Sequence, residues 1–274
     1  KLLLSHSANV NEKDWKGRTP LHHSARNGHD DVSKLLLSHS ANVNEKDWKG
    51  RTPLHCSTRY GYADISKILL ENGANVNEKN ENGWVPLHLS TCHGHADVSK
   101  LLLSHSANVN AVDNSKSTPL HYAAEFGHID VMKLLMMNGA NVNALNEDDE
   151  SPMCRAVASS FNKLKVPTML ELICCGARID EKSISKDESG ILRKVEDRLN
   201  LLRERKPITT DLFSVEERRF VQYIALCFAS KYYGIGKKLF YDLLHLISFH
   251  GIIMTRHQQR GSGSIWKMTY PSRQ

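Results

Sequence analysis

Residues Lys1 to His22 recur letter for letter as Lys34 to His55, and Lys100 to Asn110 repeats Lys34 to Asn44. The offset between the first two copies is 33 residues. A fixed period of about 20–50 residues is the mark of one small supersecondary unit stacked on itself. Such a chain has no single central core to build. Each unit must bury its apolar side against the next one.

The half-copy 1–13 is followed by copies at 14–46, 47–79, 80–112, 113–145 and 146–182. In the second full copy, Asp47-Trp48-Lys49-Gly50 is turn chemistry. Thr52 and Pro53 then read as the cap and first position of a helix, the threonine hydroxyl accepting from a free N–H and proline losing nothing by having none. That helix is expected to run to Gly61, a C-cap residue. A second helix over Asp64 to Glu71 carries Ile65, Ile68, Leu69 and Leu70 on one side, and Asn72-Gly73 ends it. Both helices are too short to stand alone.

Thr-Pro-Leu-His stands at 19–22, 52–55 and 118–121, Gly-His at 28–29, 94–95 and 127–128, and Asp-Val or Asp-Ile followed by Leu-Leu recurs in register. On these residues the chain resembles the ankyrin-repeat family over residues 1–182. The resemblance implies L-shaped units, each a projecting finger loop joined to a pair of antiparallel helices. Two copies depart from the pattern. Val85-Pro86 replaces Thr-Pro in the third, removing the hydroxyl at about 1 kcal/mol. Ser151-Pro152-Met153-Cys154 and extra residues around 161–167 mark the fifth as the end of the stack.

In proteins similar to this one, partners are held by finger tips and the exposed side of the first helix. Carried over, the partner-binding set is Trp15, Lys16, Arg18, Arg26, Trp48, Lys49, Arg51, Arg59, Tyr60, Trp84 and Phe126. Along the stack these positions run from basic and aromatic to acidic, ending in Glu147 to Glu150, a run read as solvated loop. Tryptophan, tyrosine and arginine are the commonest interface anchors, so an acidic, partly aromatic segment of a protein is the expected partner. The alternative is that Trp15 and Trp48 only shield neighbouring fingers. Asn44, Asn77, Asn110 and Asn143 match loop asparagines that are hydroxylated in the family, with Leu36, Leu69, Leu102 and Leu135 eight residues upstream. The acidic residue often found two before the target is an asparagine here, and intact mass after expression in cells would reveal each added oxygen.

Catalytic and metal chemistry find no foothold. There is no GxSxG elbow, GxxxxGK[ST] phosphate loop or paired acid at an informative spacing. His22, His55, His88 and His121 recur at the repeat period rather than at i, i+4, so a structural bond from each imidazole is expected instead of a metal. No catalytic residue, metal or cofactor is assigned, and the protein is expected to be a scaffold or adaptor, not an enzyme. The six cysteines follow no metal or disulfide spacing. Reduced thiols, and hence the cytoplasm or nucleus, are expected. The chain opens in mid-repeat without methionine, as a piece of a longer protein would. No membrane insertion is expected, and the assembly state expected is monomer.

The period stops after Lys182. Residues 183–206 read as a polar linker, Ser183 to Gly190, and a helix from Ile191 to Arg205. Residues 207–274 read as a small helical, winged-helix-like C-terminal domain, so the whole chain is mainly α. Its helices are expected over 214–233, opened by the capping box Ser214-Val215-Glu216-Glu217, and 237–250. Strands over 252–257 and 265–270 flank a glycine-serine turn. The net charge of +6 lies here: residues 1–182 hold 20 basic and 21 acidic side chains, residues 183–274 hold 16 and 9. Lys237, Lys238, Arg256, Arg260 and Lys267 are therefore candidate contacts to an anionic ligand, and nucleic-acid association is the rival function. A ubiquitin-ligase adaptor is a third reading, though the tail lacks a Leu-Pro-x-Pro element.

Overall fold

The computed structural model describes residues 6, 8–159, 168–169, 171–173, 175–187, 190, 192–193, 253–257 and 265–269. The chain divides into two compact units, Lys1–Gly190 and Ile191–Gln274.

In the first unit the helices come in pairs: α1 Pro20–Asn27 with α2 Asp30–Ser38, α3 Pro53–Tyr60 with α4 Ala63–Glu71, α5 Pro86–Cys92 with α6 Ala96–Ser104, and α7 Pro119–Phe126 with α8 Ile129–Met137. Helix α9, Pro152–Ala158, opens the fifth copy and packs against α7. First helices stack on first helices, and second helices on second helices. The core is a column of equivalent residues: Leu21, Leu54, Leu87, Leu120 and Met153 are each fully buried. Leu69, Leu102 and Leu135 form a second column, also with no exposed surface. Each such side chain contributes about 1.5–3 kcal/mol, which is how eight- and nine-residue helices become stable. Buried hydroxyls join the two helices of a pair at Ser24–Ser33 (2.7 Å), Ser57–Ser66 (2.8 Å) and Ser90–Ser99 (2.9 Å). In the fourth copy Ala123 and Met132 occupy these positions and are equally buried. At the end of α3, Gly61 takes φ +77°, and a Cβ there would stand 2.7 Å from His95 Nδ1 of the next copy. Only glycine allows that approach.

Polar ladders with the same period join one copy to the next. Asn44 Nδ2 donates to the Gly73 carbonyl (3.0 Å), and its Oδ1 accepts from Asn75 N–H (2.8 Å). Asn77 and Asn110 repeat both bonds toward Ser106 and Asn108, and toward Gly139 and Asn141. Lys13–Glu45 (2.7 Å) and Lys46–Glu78 (2.6 Å) tie the same edges together.

The histidines that recur at the repeat period bolt fingers to helices. Nδ1 of His22, His55, His88 and His121 accepts from the backbone N–H three residues before it, at 3.0–3.2 Å. Nδ1 therefore carries no proton, and Nε2–H donates to a carbonyl of the next finger: Arg51 (2.9 Å), Trp84 (3.0 Å), Ser117 (3.2 Å) and Glu150 (2.9 Å). The hydroxyls of Thr19, Thr52 and Thr118 lie 2.9 Å from the same Nδ1. The expected cap thus takes the form of a reciprocal capping box in which the third helical residue is a histidine, its ring bonding back to the capping threonine. Where Cys154 replaces the histidine, Ser151 Oγ accepts from the Cys154 N–H (3.3 Å). Val85 keeps its backbone bond to His88 and lacks only the hydroxyl. Val85→Thr is near-isosteric at a buried site, so it should raise stability by about 1 kcal/mol, read as a higher urea midpoint at unchanged slope.

Of the polar linker expected over Ser183 to Gly190, residues 183–186 instead lie in a helix, α10 Glu181–Lys186, which packs against α9. Asp180 caps it by accepting from Ser183 N–H (2.7 Å). In the second unit, residues 192–193 are helical, and strands β1 Ile253–His257 and β2 Ile265–Thr269 pair antiparallel, Arg256 facing Trp266 and Thr255 facing Lys267. The helices expected over 214–233 and 237–250, with Lys237, Lys238 and Arg260, lie outside the described residues.

Candidate partner-binding groove

Each finger is built by its first residue. Asp14 Oδ1 accepts from the N–H groups of Lys16 (2.8 Å) and Arg18 (2.9 Å), and Asp47 does the same for Lys49 (3.0 Å) and Arg51 (2.9 Å). Asn80, Asp113 and Asn146 repeat the pattern. Neighbouring fingers are stitched tip to tip by Trp48 N–H to the Lys16 carbonyl (3.2 Å), Glu81 to Lys49 (3.1 Å), Asn114 to Asn82 (3.1 Å) and Glu147 to Ser115 (2.9 Å). The fingers thus form a continuous wall facing the first helices.

Between that wall and α1, α3 and α5 lies a groove of about 650 Å³. It collects Arg18, Arg26, Lys49, Arg51, Arg59, Tyr60 and Trp84 from the expected set. Trp15, Lys16, Trp48 and Phe126 do not line it. Trp15 and Trp48 meet edge to face (5.6 Å between ring centres), with Lys16 Nζ 4.1 Å above the Trp15 ring. They remain 75 % and 54 % exposed, so the pair covers the finger edge only in part. Phe126 stacks on His128 (6.1 Å).

The groove's cations divide into two kinds. Arg18 and Arg51 pair with Asp14 (2.7 Å) and Asp47 (2.6 Å) inside their own fingers. Burial alone would raise the Asp47 carboxyl, but the Arg51 side chain and backbone hold it below its usual value. Arg26, Lys49 and Arg59 are exposed, and no carboxylate of the described residues lies within ion-pair distance of them. The Arg26 guanidinium sits 6.0 Å from the Tyr60 ring. Trp84 packs on Tyr122 (4.7 Å), whose hydroxyl donates to Asp113 (2.5 Å). Glu81 is the one acidic side chain among the lining residues.

Helix positions that the expected set omits also face the groove: His23, Cys56 and Leu89, which recur at the repeat period. His23 Nε2 lies 3.1 Å from Asp14 Oδ2. Burial pushes the Cys56 and Cys92 thiols up to about 11, so both are protonated and unreactive at neutral pH. The four recurring histidines have both ring nitrogens engaged, as described above. Asn143 completes the asparagine ladder by donating to the Gly176 carbonyl (3.2 Å) and accepting from Arg178 N–H (2.7 Å). The acidic finger is not wholly solvated: Glu150 is 8 % exposed and pairs with Lys186 and Arg155. Among the described residues no helix is long and apolar enough to cross a membrane.

A stack of helix pairs with a finger wall and an open groove defines a repeat solenoid with an extended surface. The family model for ankyrin repeats matches residues 1–80, 74–146 and 116–183, and the chain belongs to that family. Ankyrin repeats generally mediate protein–protein interaction, so a protein-binding module is the coarse function that follows. A comparison with curated proteins gives no match.

Proposed function

We propose that the chain is a non-catalytic scaffold whose groove over the first three copies holds an acidic, partly aromatic segment of a protein partner. The observation that carries this reading is the trio Arg26, Lys49 and Arg59, exposed and without a carboxylate partner among the described residues, beside Tyr60 and Trp84. Unpaired guanidinium groups offer bidentate donors to carboxylates, and the neighbouring rings offer apolar area at low entropic cost.

Reversal at Arg26 and Arg59 is the cleaner test, because Arg18 and Arg51 also hold their fingers together. With a fluorescent peptide alternating glutamate and tyrosine as probe, Arg26→Glu with Arg59→Glu should weaken binding about thirtyfold or more, or 2 kcal/mol. The melting temperature should stay put, since both side chains are exposed. Equal affinity for the peptide would remove the groove from consideration.

A further inference from the structure

The groove has an opposite at the far end of the same stack. The fifth finger presents Glu147, Asp148 and Asp149 to solvent, beside Leu145 at 53 % exposure. None of the three carboxylates has an ion-pair partner among the described residues. The tip is preformed. Asn146 Oδ1 accepts from Asp148 N–H (3.0 Å) and Glu150 N–H (2.8 Å), and Asp149 takes φ +54°. Its two flanks are fixed as well: Glu147 N–H is bound to the fourth finger, and the Asp148 carbonyl accepts from Lys182. A loop already ordered loses little freedom on docking.

Within one molecule the acidic tip cannot reach the groove, because the fingers are stitched in sequence from the first to the fifth. Between molecules it can. We propose that copies of this chain associate head to tail, the acidic fifth finger of one seating in the basic groove of the next. Glu147, Asp148 and Asp149 meet Arg26, Lys49 and Arg59, while Leu145 adds apolar contact beside Tyr60. The inference rests on the reading of the groove as a site for acidic segments and names one such segment on the page. The contact is heterologous, so it propagates into chains rather than closing as a symmetric dimer. Carboxylate tip and cationic groove attract through solvent, so the association is weak and falls with ionic strength. It also occupies the groove, so crowding the protein with itself withholds it from its partner.

Sedimentation velocity of the full chain across a dilution series tests this. At low salt the average mass should rise with concentration and return to the monomer at about 1 M salt, where the screening length falls to about 3 Å. Glu147→Lys with Asp148→Lys and Asp149→Lys should be monomeric throughout, as should Arg26→Glu with Arg59→Glu. Mixing the two variants should restore association, because each then offers what the other lacks. The neutral set Glu147→Gln, Asp148→Asn, Asp149→Asn should lose association with the finger undisturbed. A monomeric wild type at every concentration, or a tip-reversed variant that associates like it, overturns the proposal. The tip-reversed variant keeps its groove and should still bind the acidic peptide. A wild type that stays monomeric yet binds the peptide therefore sinks only the head-to-tail contact, whereas a wild type that does neither removes the groove reading as well.

Discussion

Between pH 6.5 and pH 4 the repeat stack is expected to lose a large part of its stability, because burial holds the His55 and His88 imidazoles down to about 4. The ordinary value of 6.5 applies once the chain unfolds, so across this window the unfolded state binds protons that the folded state refuses. The stabilisation is complete above pH 6.5, is lost as pH falls toward 4, and changes no further below that. Each histidine accounts for up to about 3 kcal/mol, against a total stability of about 5–15 kcal/mol for a typical domain. The cause is visible in the bonding. Nδ1 of His55 faces the Thr52 N–H and hydroxyl, so a proton there would set donor against donor. His22 and His121 are lowered by burial in the same sense. The lowered carboxyls of Glu45 and Glu78, held by Lys13 and Lys46, add a separate loss below their ordinary value of 4.5. Urea melts at half-unit steps of pH would show it, and a midpoint unchanged from pH 6.5 to 4.5 would contradict the assignment.

Arg51→Glu is expected to be the most damaging single change to a finger. The Asp47 side chain has no exposed surface, and Arg51 supplies two bonds to Oδ2, at 2.9 and 2.6 Å. Arg51 is itself partly exposed, so its removal costs about 3 kcal/mol, the low end for a buried pair, because the enclosed Asp47 charge keeps its desolvation penalty. The reversed charge adds repulsion. The second finger should come loose, and with it the Arg51 carbonyl that His22 bonds and the Lys49 carbonyl that Glu81 bonds. Thermal melts of Arg51→Glu beside Arg59→Glu separate the two roles: a drop of about ten degrees for the first and little for the second. Equal melting temperatures would show that the finger does not depend on the pair.

Much of this was legible because repetition exposes it. The period, the glycine that follows the first helix in the first four copies and the buried leucines are local signals copied several times over. The partners of single residues were less so. Thr52 announced a cap, but that His55, three residues on, would return the bond through its ring was not announced, because glutamate or glutamine is the usual residue there. Arg51 read as a surface anchor, although Asp47 four residues before it is the first residue of a turn and a natural ion-pair partner. The pairing of Glu150 with Lys186 spans 36 residues and leaves no periodic trace. Helix α10 did carry a signal, Asp180 followed by Glu181, but a polar six-residue helix has no apolar stripe to announce it.

The asparagine ladder makes every junction of the early stack speak the same language. Asn11 donates to the Ser40 carbonyl and accepts from Asn42, as Asn44 does with Gly73 and Asn75. Lys13 and Lys46 reach the same position one copy on. A copy can therefore be spliced out or in at these seams, and the faces that come together already match. The length of this surface is in that sense a heritable dial: a gene that slips by one period yields a longer or shorter grip with no new interface to invent.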